Sequence, residues 1–255
     1  PTEGKEALMP RIDGNMVQNT AGGFTFAGTR IEKLGATEYT LVTIAVDESS
    51  SVSGFDTELR QALIIAVEAC QASPRAEYLL VRVVGFGSQY QGGVDEIHGF
   101  KLLSEIDLQA YRAIQPRGMT PLNDACYNAV GATNAYAKQL TDQDFGVNAI
   151  TFVITDGGEN ASTTTQTMVC DEVKKALRAE VLESMVSILI GINATDCAQL
   201  LADYQQEVGF THFIDAGKAT KQKLAKLADF VSQSISSQSQ ALGTGGPSQQ
   251  ISAVI

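Results

Sequence analysis

Five side chains in this sequence carry hard oxygen donors where a fold could gather them: Asp47, Ser49, Ser51, Thr120 and Asp156. The first three lie in Asp47-Glu48-Ser49-Ser50-Ser51, a D-x-S-x-S pattern whose alternation lets three side chains of one loop point toward a common centre. Thr120 stands in Gly118-Met119-Thr120-Pro121-Leu122, where Gly118 allows the backbone to approach an ion, and Asp156 in Thr155-Asp156-Gly157. Two carboxylates and three hydroxyls, with no His or Cys, suit Mg²⁺ at about 2.0–2.1 Å with retained waters, or else Mn²⁺ or Ca²⁺. Other chemistries lack parts. Ser49 or Ser51 as a nucleophile needs a positioned base, but His98 and His212 sit in no recognisable motif and no G-x-S-x-G exists. There is no P-loop, and in Gly85-Phe86-Gly87 the third glycine position of a dinucleotide loop is Tyr90. A non-enzymatic binding site is expected.

Positioning these residues requires buried strands that end at them. Thr40 to Val46 is apolar and β-branched, a strand buried on both faces that stops at Asp47. Tyr78 to Phe86, Asn148 to Thr155 and Met185 to Gly191 read the same way, and Thr211 to Asp215 as a short strand. Val94 to Leu102 follows a Gly92-Gly93 turn, which predicts a hairpin and an antiparallel edge. Between them, Leu59, Leu63, Val67 and Cys70 recur at helical spacing within Asp56 to Gln71. Thr120 and Pro121 open a helix, as N-cap and first residue, that runs to about Leu140. Further helices are predicted over Cys170 to Leu182, Ala198 to Val208 and Ala219 to about Ser236. Strands alternating with amphipathic helices predict an α/β, doubly wound, mostly parallel sheet with one antiparallel edge strand and helices on both faces. In such a sheet ligands bind beyond the carboxyl ends of the strands, where all five donors fall.

At 255 residues and 44 % apolar composition, one large domain or two small ones can bury a substantial core. Lys and Arg total 18 against 29 Asp and Glu, a net charge of −11 that disfavours nucleic acid and suits cations or basic partners. No apolar run spans a bilayer, and no signal peptide is seen at the start. Cys70, Cys126, Cys170 and Cys197 have no metal-type spacing and read as small thiols in a reducing compartment, so a cytoplasmic setting is expected. Residues 1–37 read as an irregular arm with room for a small hairpin. Residues 236–255 are a Ser-, Gln- and Gly-rich tail that packing against other chains would order. A homo- or hetero-oligomeric assembly is therefore expected.

Asp47-x-Ser49-x-Ser51, the Gly118-to-Leu122 loop and Thr155-Asp156-Gly157 together resemble the metal-ion-dependent adhesion site (MIDAS) of von Willebrand factor type A (VWA) domains. They occur in that family's order, each at the end of the corresponding element, and the resemblance covers residues 38–235. It implies a Rossmann-like fold in which Asp47, Ser49, Ser51, Thr120 and Asp156 hold the cation directly or through water. The open coordination position would take a protein partner's Asp or Glu carboxylate. Ser50 departs from the pattern, many members having Gly there. Glu48, Asp124 and Glu159 lie near enough to act as outer acceptors, Glu48 and Glu159 being read first as solvated surface carboxylates. The low-complexity ends resemble compact prokaryotic and phage-encoded members, including stress-cluster proteins and partners of AAA+ ATPases. They equally fit a particle subunit in a virion, tied by its arms with the metal structural.

Overall fold

The computed structural model describes residues 14–178 and 182–244. Eight strands form one sheet in the order β1-β2-β5-β4-β3-β6-β7-β8. These are β1 Met16–Ala21, β2 Phe24–Thr29, β3 Glu38–Asp47, β4 Leu79–Phe86, β5 Val94–Leu102, β6 Gly146–Thr155, β7 Met185–Ile192 and β8 His212–Gly217. The helices are α1 Asp56–Gln71, α2 Leu122–Thr141, α3 Gln166–Arg178, α4 Ala198–Val208 and α5 Lys221–Thr244. From β4 through β3, β6 and β7 to β8 every pairing is parallel. The order reverses at β3, and its carboxyl end therefore opens between connections that leave on opposite faces.

β3 is central, and its alternate residues feed two cores. Val42, Ile44 and Val46 pack in the layer with α1 and α5. Leu41 and Ala45 face the layer holding α2, α3 and α4. Thr43, also buried, exchanges a hydrogen bond with Thr133 of α2 at 3.0 Å. The predicted stripe on α1, Leu59, Leu63, Val67 and Cys70, is the buried one, and on α2 the face of Leu122, Cys126, Ala129, Thr133, Tyr136 and Leu140, at helical spacing, is buried too.

Several boundaries differ from the sequence expectation: α3, expected over Cys170 to Leu182, starts at Gln166 and does not include Leu182. β5 is antiparallel to β4, as the glycine turn predicts, but it is not the edge. A hairpin of β1 and β2, in the arm that was read as irregular with room for a small hairpin, extends the sheet beyond it through a parallel contact at Gly28 and Phe100. The attachment is made by side chains rather than by a long ladder. Glu96 accepts from the Ala27 amide at 2.8 Å and from Arg82 at 2.7 Å, and the Thr29 hydroxyl donates to the Phe100 carbonyl at 3.0 Å. Phe100 stacks on Tyr136, whose hydroxyl donates to the Thr29 carbonyl. At Gly99 a Cβ would stand 2.1 Å from the Ala27 carbonyl oxygen, so only glycine lets the two strands meet.

The helix expected to end near Ser236 continues to Thr244. Ile235, Gln238, Ser239, Ala241 and Leu242 are buried. Asn148 donates to the Gln238 carbonyl at 2.7 Å, and the Gln238 amide donates to Ser184 at 2.8 Å. Ser and Gln are weak evidence against a helix when specific partners receive them. The remainder of the Ser/Gln/Gly tail, residues 245–255, lies outside the described residues, as do 1–13 of the arm.

Candidate metal centre

Asp47 ends β3 with its carboxylate fully buried. One oxygen accepts the Ser49 amide at 2.8 Å and the other the Thr155 hydroxyl at 2.7 Å. Thr155 and Asp156 close β6, the strand beside β3. Ser49 precedes a short helical turn, 50–52, and Ser51 lies within it, with their hydroxyls 2.9 Å apart. The Ser51 hydroxyl donates to Asp156 at 2.7 Å, so the first and third loops meet. Thr120, 3 % exposed, sits on the loop before α2, with its hydroxyl 3.6 Å from where a Cβ on Gly157 would lie. All five donors thus stand at the carboxyl edge around the β3–β6 junction.

Local sequence accounts for the loops in ways not foreseen from the sequence. Thr120 does not cap α2: Pro121 precedes the helix, and no side chain at that position caps it. The free amides of the first turn go instead to the loop after β6. Glu159 accepts from the Asn123 amide at 2.7 Å, and Ser162 from that of Asp124 at 3.0 Å. Glu159 also takes the Ala161 and Ser162 amides and the Ser162 hydroxyl. It is a capping carboxylate, not a solvated one. Asp124 in turn accepts the Thr163 and Thr164 amides. Asn160 clasps Thr120 by its backbone, side-chain oxygen to amide at 2.8 Å and amide to carbonyl at 3.1 Å. Gly118 has φ 77°, and a Cβ there would meet the Ser88 hydroxyl at 2.5 Å. Both its left-handed backbone and the neighbouring loop therefore require glycine there. Ser50, where many VWA members carry Gly, donates its hydroxyl to the Gly118 carbonyl and ties two loops together.

Electrostatically the centre is unbalanced in favour of a cation. Burial pushes the Asp47 carboxyl up to about 6, against the hydrogen bonds from Thr155 and Ser49, and Asp156 across the centre adds to the rise. Burial raises Asp156 as well. Two carboxylates held together without a countercharge resist ionisation, and a divalent ion would remove that penalty. The oxygen spacings of 2.9 and 2.7 Å approach the roughly 3.0 Å between adjacent ligands of an octahedral ion at about 2.1 Å. Among the described residues no three His, Cys, Asp or Glu side chains gather, so the hydroxyls have to complete any donor set. The two histidines serve elsewhere. His98 spans the Gly99 carbonyl and the Tyr111 hydroxyl, and His212 opens β8.

No family model matches the sequence, and no curated protein matches it either. Solved structures do share the fold. The pilus adhesin SpaC from Lactobacillus rhamnosus GG aligns at TM-score 0.58 and 11 % identity over 87 % of this chain and 34 % of its own. The PilB minor pilin from Streptococcus sanguinis aligns at 0.57 and 14 %, over 88 % of this chain and 67 % of its own. Proximal thread matrix protein 1 from the mussel byssus, with a zinc-occupied MIDAS motif, aligns at 0.55 and 17 %, over 78 % and 48 %. The chain thus spans about a third of SpaC and half of the byssus protein. At these identities the likeness establishes a VWA-like α/β fold.

Proposed function

We propose that the chain is a non-enzymatic protein-interaction module whose unit of residues 38–235 binds a partner through a divalent cation held by Asp47, Ser49, Ser51, Thr120 and Asp156. The observation that carries this reading is the continuous oxygen chain from Ser49 through Ser51 to Asp156, backed by the buried Asp47 carboxylate. The zinc-occupied MIDAS of the byssus protein supports a divalent ion on this fold. Mg²⁺ is our preferred ion from the all-oxygen donor set, with Mn²⁺ or Ca²⁺ as substitutes. When bound, the ion supplies a positive centre that a partner's Asp or Glu carboxylate can join.

The chain's own residues do the rest. Thr155 and the Ser49 amide fix the rotation of Asp47, leaving the serine hydroxyls free to turn their lone pairs outward and lose their mutual bond. Asp156 is half-buried and Ser51 exposed, so the open side of the centre faces solvent, where a second molecule can reach it. Titration calorimetry with Mn²⁺ tests the site. Binding by the wild type and its loss in Asp47→Ala is expected; no heat from the wild type, or equal binding by both, would refute the metal reading. Partner capture that survives chelator unchanged would refute the bridge.

A further inference from the structure

Glu48, read from the sequence as a solvated carboxylate, is 1 % exposed and turned away from the five donors. Its Oε2 accepts from Arg112 Nη1 at 2.9 Å and from the Tyr90 hydroxyl. Its other oxygen lies so close to Gly85 that a Cβ there would stand 2.3 Å away. The half-buried Arg112 uses its second nitrogen to reach Tyr90 at 2.9 Å and Asp95 at 2.8 Å. A buried carboxylate is tolerated only when paired, and here one guanidinium fork pairs it.

The connection matters because Arg112 belongs to the long segment between β5 and α2 that ends in Thr120. The same segment is laid against the serine loop by its backbone: Arg117 N–H to the Glu48 carbonyl at 3.0 Å, and Ser50 N–H to the Gly118 carbonyl at 3.1 Å. The Ser88 N–H reaches the Met119 carbonyl at 3.0 Å and so adds the loop after β4. Apart from Glu48 these bonds join exposed or half-buried loop residues distant in sequence, and they would open readily unless something buried pinned them.

We infer that the Glu48–Arg112–Tyr90 cluster is a clamp that holds the Thr120 loop on the serine loop before any cation arrives, so that Glu48 and Arg112 are positioning residues for the centre. This rests on the metal reading only for its consequence, since the clamp itself acts in the metal-free protein. A pre-set donor set avoids ordering two loops during binding, and its loss weakens affinity without removing a ligand.

The test is amide hydrogen exchange on the metal-free protein, followed by Mn²⁺ titration. Glu48→Gln and Arg112→Gln are expected to speed exchange at the Ser50 and Arg117 amides at least tenfold while the Val42 amide of β3 stays unchanged. Tyr90→Phe, which keeps the ion pair, is expected to fall between. Wild-type rates at Ser50 and Arg117 in Glu48→Gln would overturn the clamp. If Val42 also speeds up, Tyr90→Phe decides: loop-confined acceleration supports the clamp and none overturns it. Mn²⁺ affinity is expected to fall about tenfold in Arg112→Gln and to recover in part in Arg112→Lys. Unchanged affinity beside faster exchange would overturn the positioning role. A wild type that binds no Mn²⁺ would sink the metal reading and leave the exchange rates to judge the clamp.

Discussion

Single side chains in this protein do more than their types announce, and His98 is the clearest example. It lies partly buried in β5, with Nδ1 against the Gly99 carbonyl and Nε2 at 2.8 Å from the Tyr111 hydroxyl, an arrangement that suits the neutral ring. Burial, with Lys101 and Arg82 assisting, lowers it to about 4. An unfolded histidine takes up its proton near 6.5, so stability is fully present above that pH and is lost as pH falls toward 4. The effect is worth up to about 3 kcal/mol. Asp47, raised to about 6, acts in the opposite sense over an overlapping range: its share is present at low pH and is lost as pH rises through about 6. Urea midpoints of the wild type and His98→Gln from pH 7.5 to 4 should therefore be compared as a difference. That difference is expected to shrink as the pH drops, and a constant one would show that His98 is not the buried neutral group described. The motif residues stood out because D-x-S-x-S and Asp156 each follow an apolar strand and Thr120 precedes a helix. Asn160, Arg112 and the bond from Thr155 to Asp47 did not, since a single amide, guanidinium or hydroxyl gives no sign of its partner until the loops are in place.

Elements were read well where their periodicity was their own and poorly where it was lent by neighbours. α1 and α4 have the boundaries that their apolar spacing gives, and the four buried strands are right to within two residues. The small hairpin that the arm had room for gave no sign of joining the sheet, because its attachment rests on Glu96, Phe100 and a bare Gly99, not on an apolar stripe. α5 was cut short because Gln238 and Ser239 look like linker residues until Asn148, Ser184 and Arg75 receive them. Gly99→Ala puts a methyl against backbone that has nowhere to go, and it should cost about 2 kcal/mol. For a chain of this size that is about 4–8 °C in Tm, with faster proteolysis between Met16 and Thr29. Gly35→Ala, with nothing within 4 Å, is the silent control. Equal melting of the two variants would contradict the hairpin attachment.

For the molecule taken together, the charge balance and the centre point the same way. A net charge of −11 and two destabilised carboxylates make the folded state one that a cation should favour. A ligand at one hundred times its Kd adds about 2.7 kcal/mol to a folded state that alone binds it. Mn²⁺ or Mg²⁺ at that excess should therefore raise Tm by about 5–11 °C. Asp47→Ala should show no rise, and an equal rise in both would assign the effect to general screening. Among the described residues no helix is long and apolar enough to cross a membrane.

The hairpin has one more consequence, and it concerns time. Thr29 meets Phe100 across 71 residues of sequence. At about 5–20 residues per second on the ribosome, β2 waits about 4–14 s for the strand that will cover it. Through that interval Phe26 and an unpaired strand edge are open to any passing chain. The shortness of the two strands and their polar Gln18, Asn19, Thr20, Thr25 and Thr29 limit the apolar surface of that waiting segment. Anything that lengthened translation between Thr29 and Phe100 would extend the period in which a nascent chain needs a chaperone.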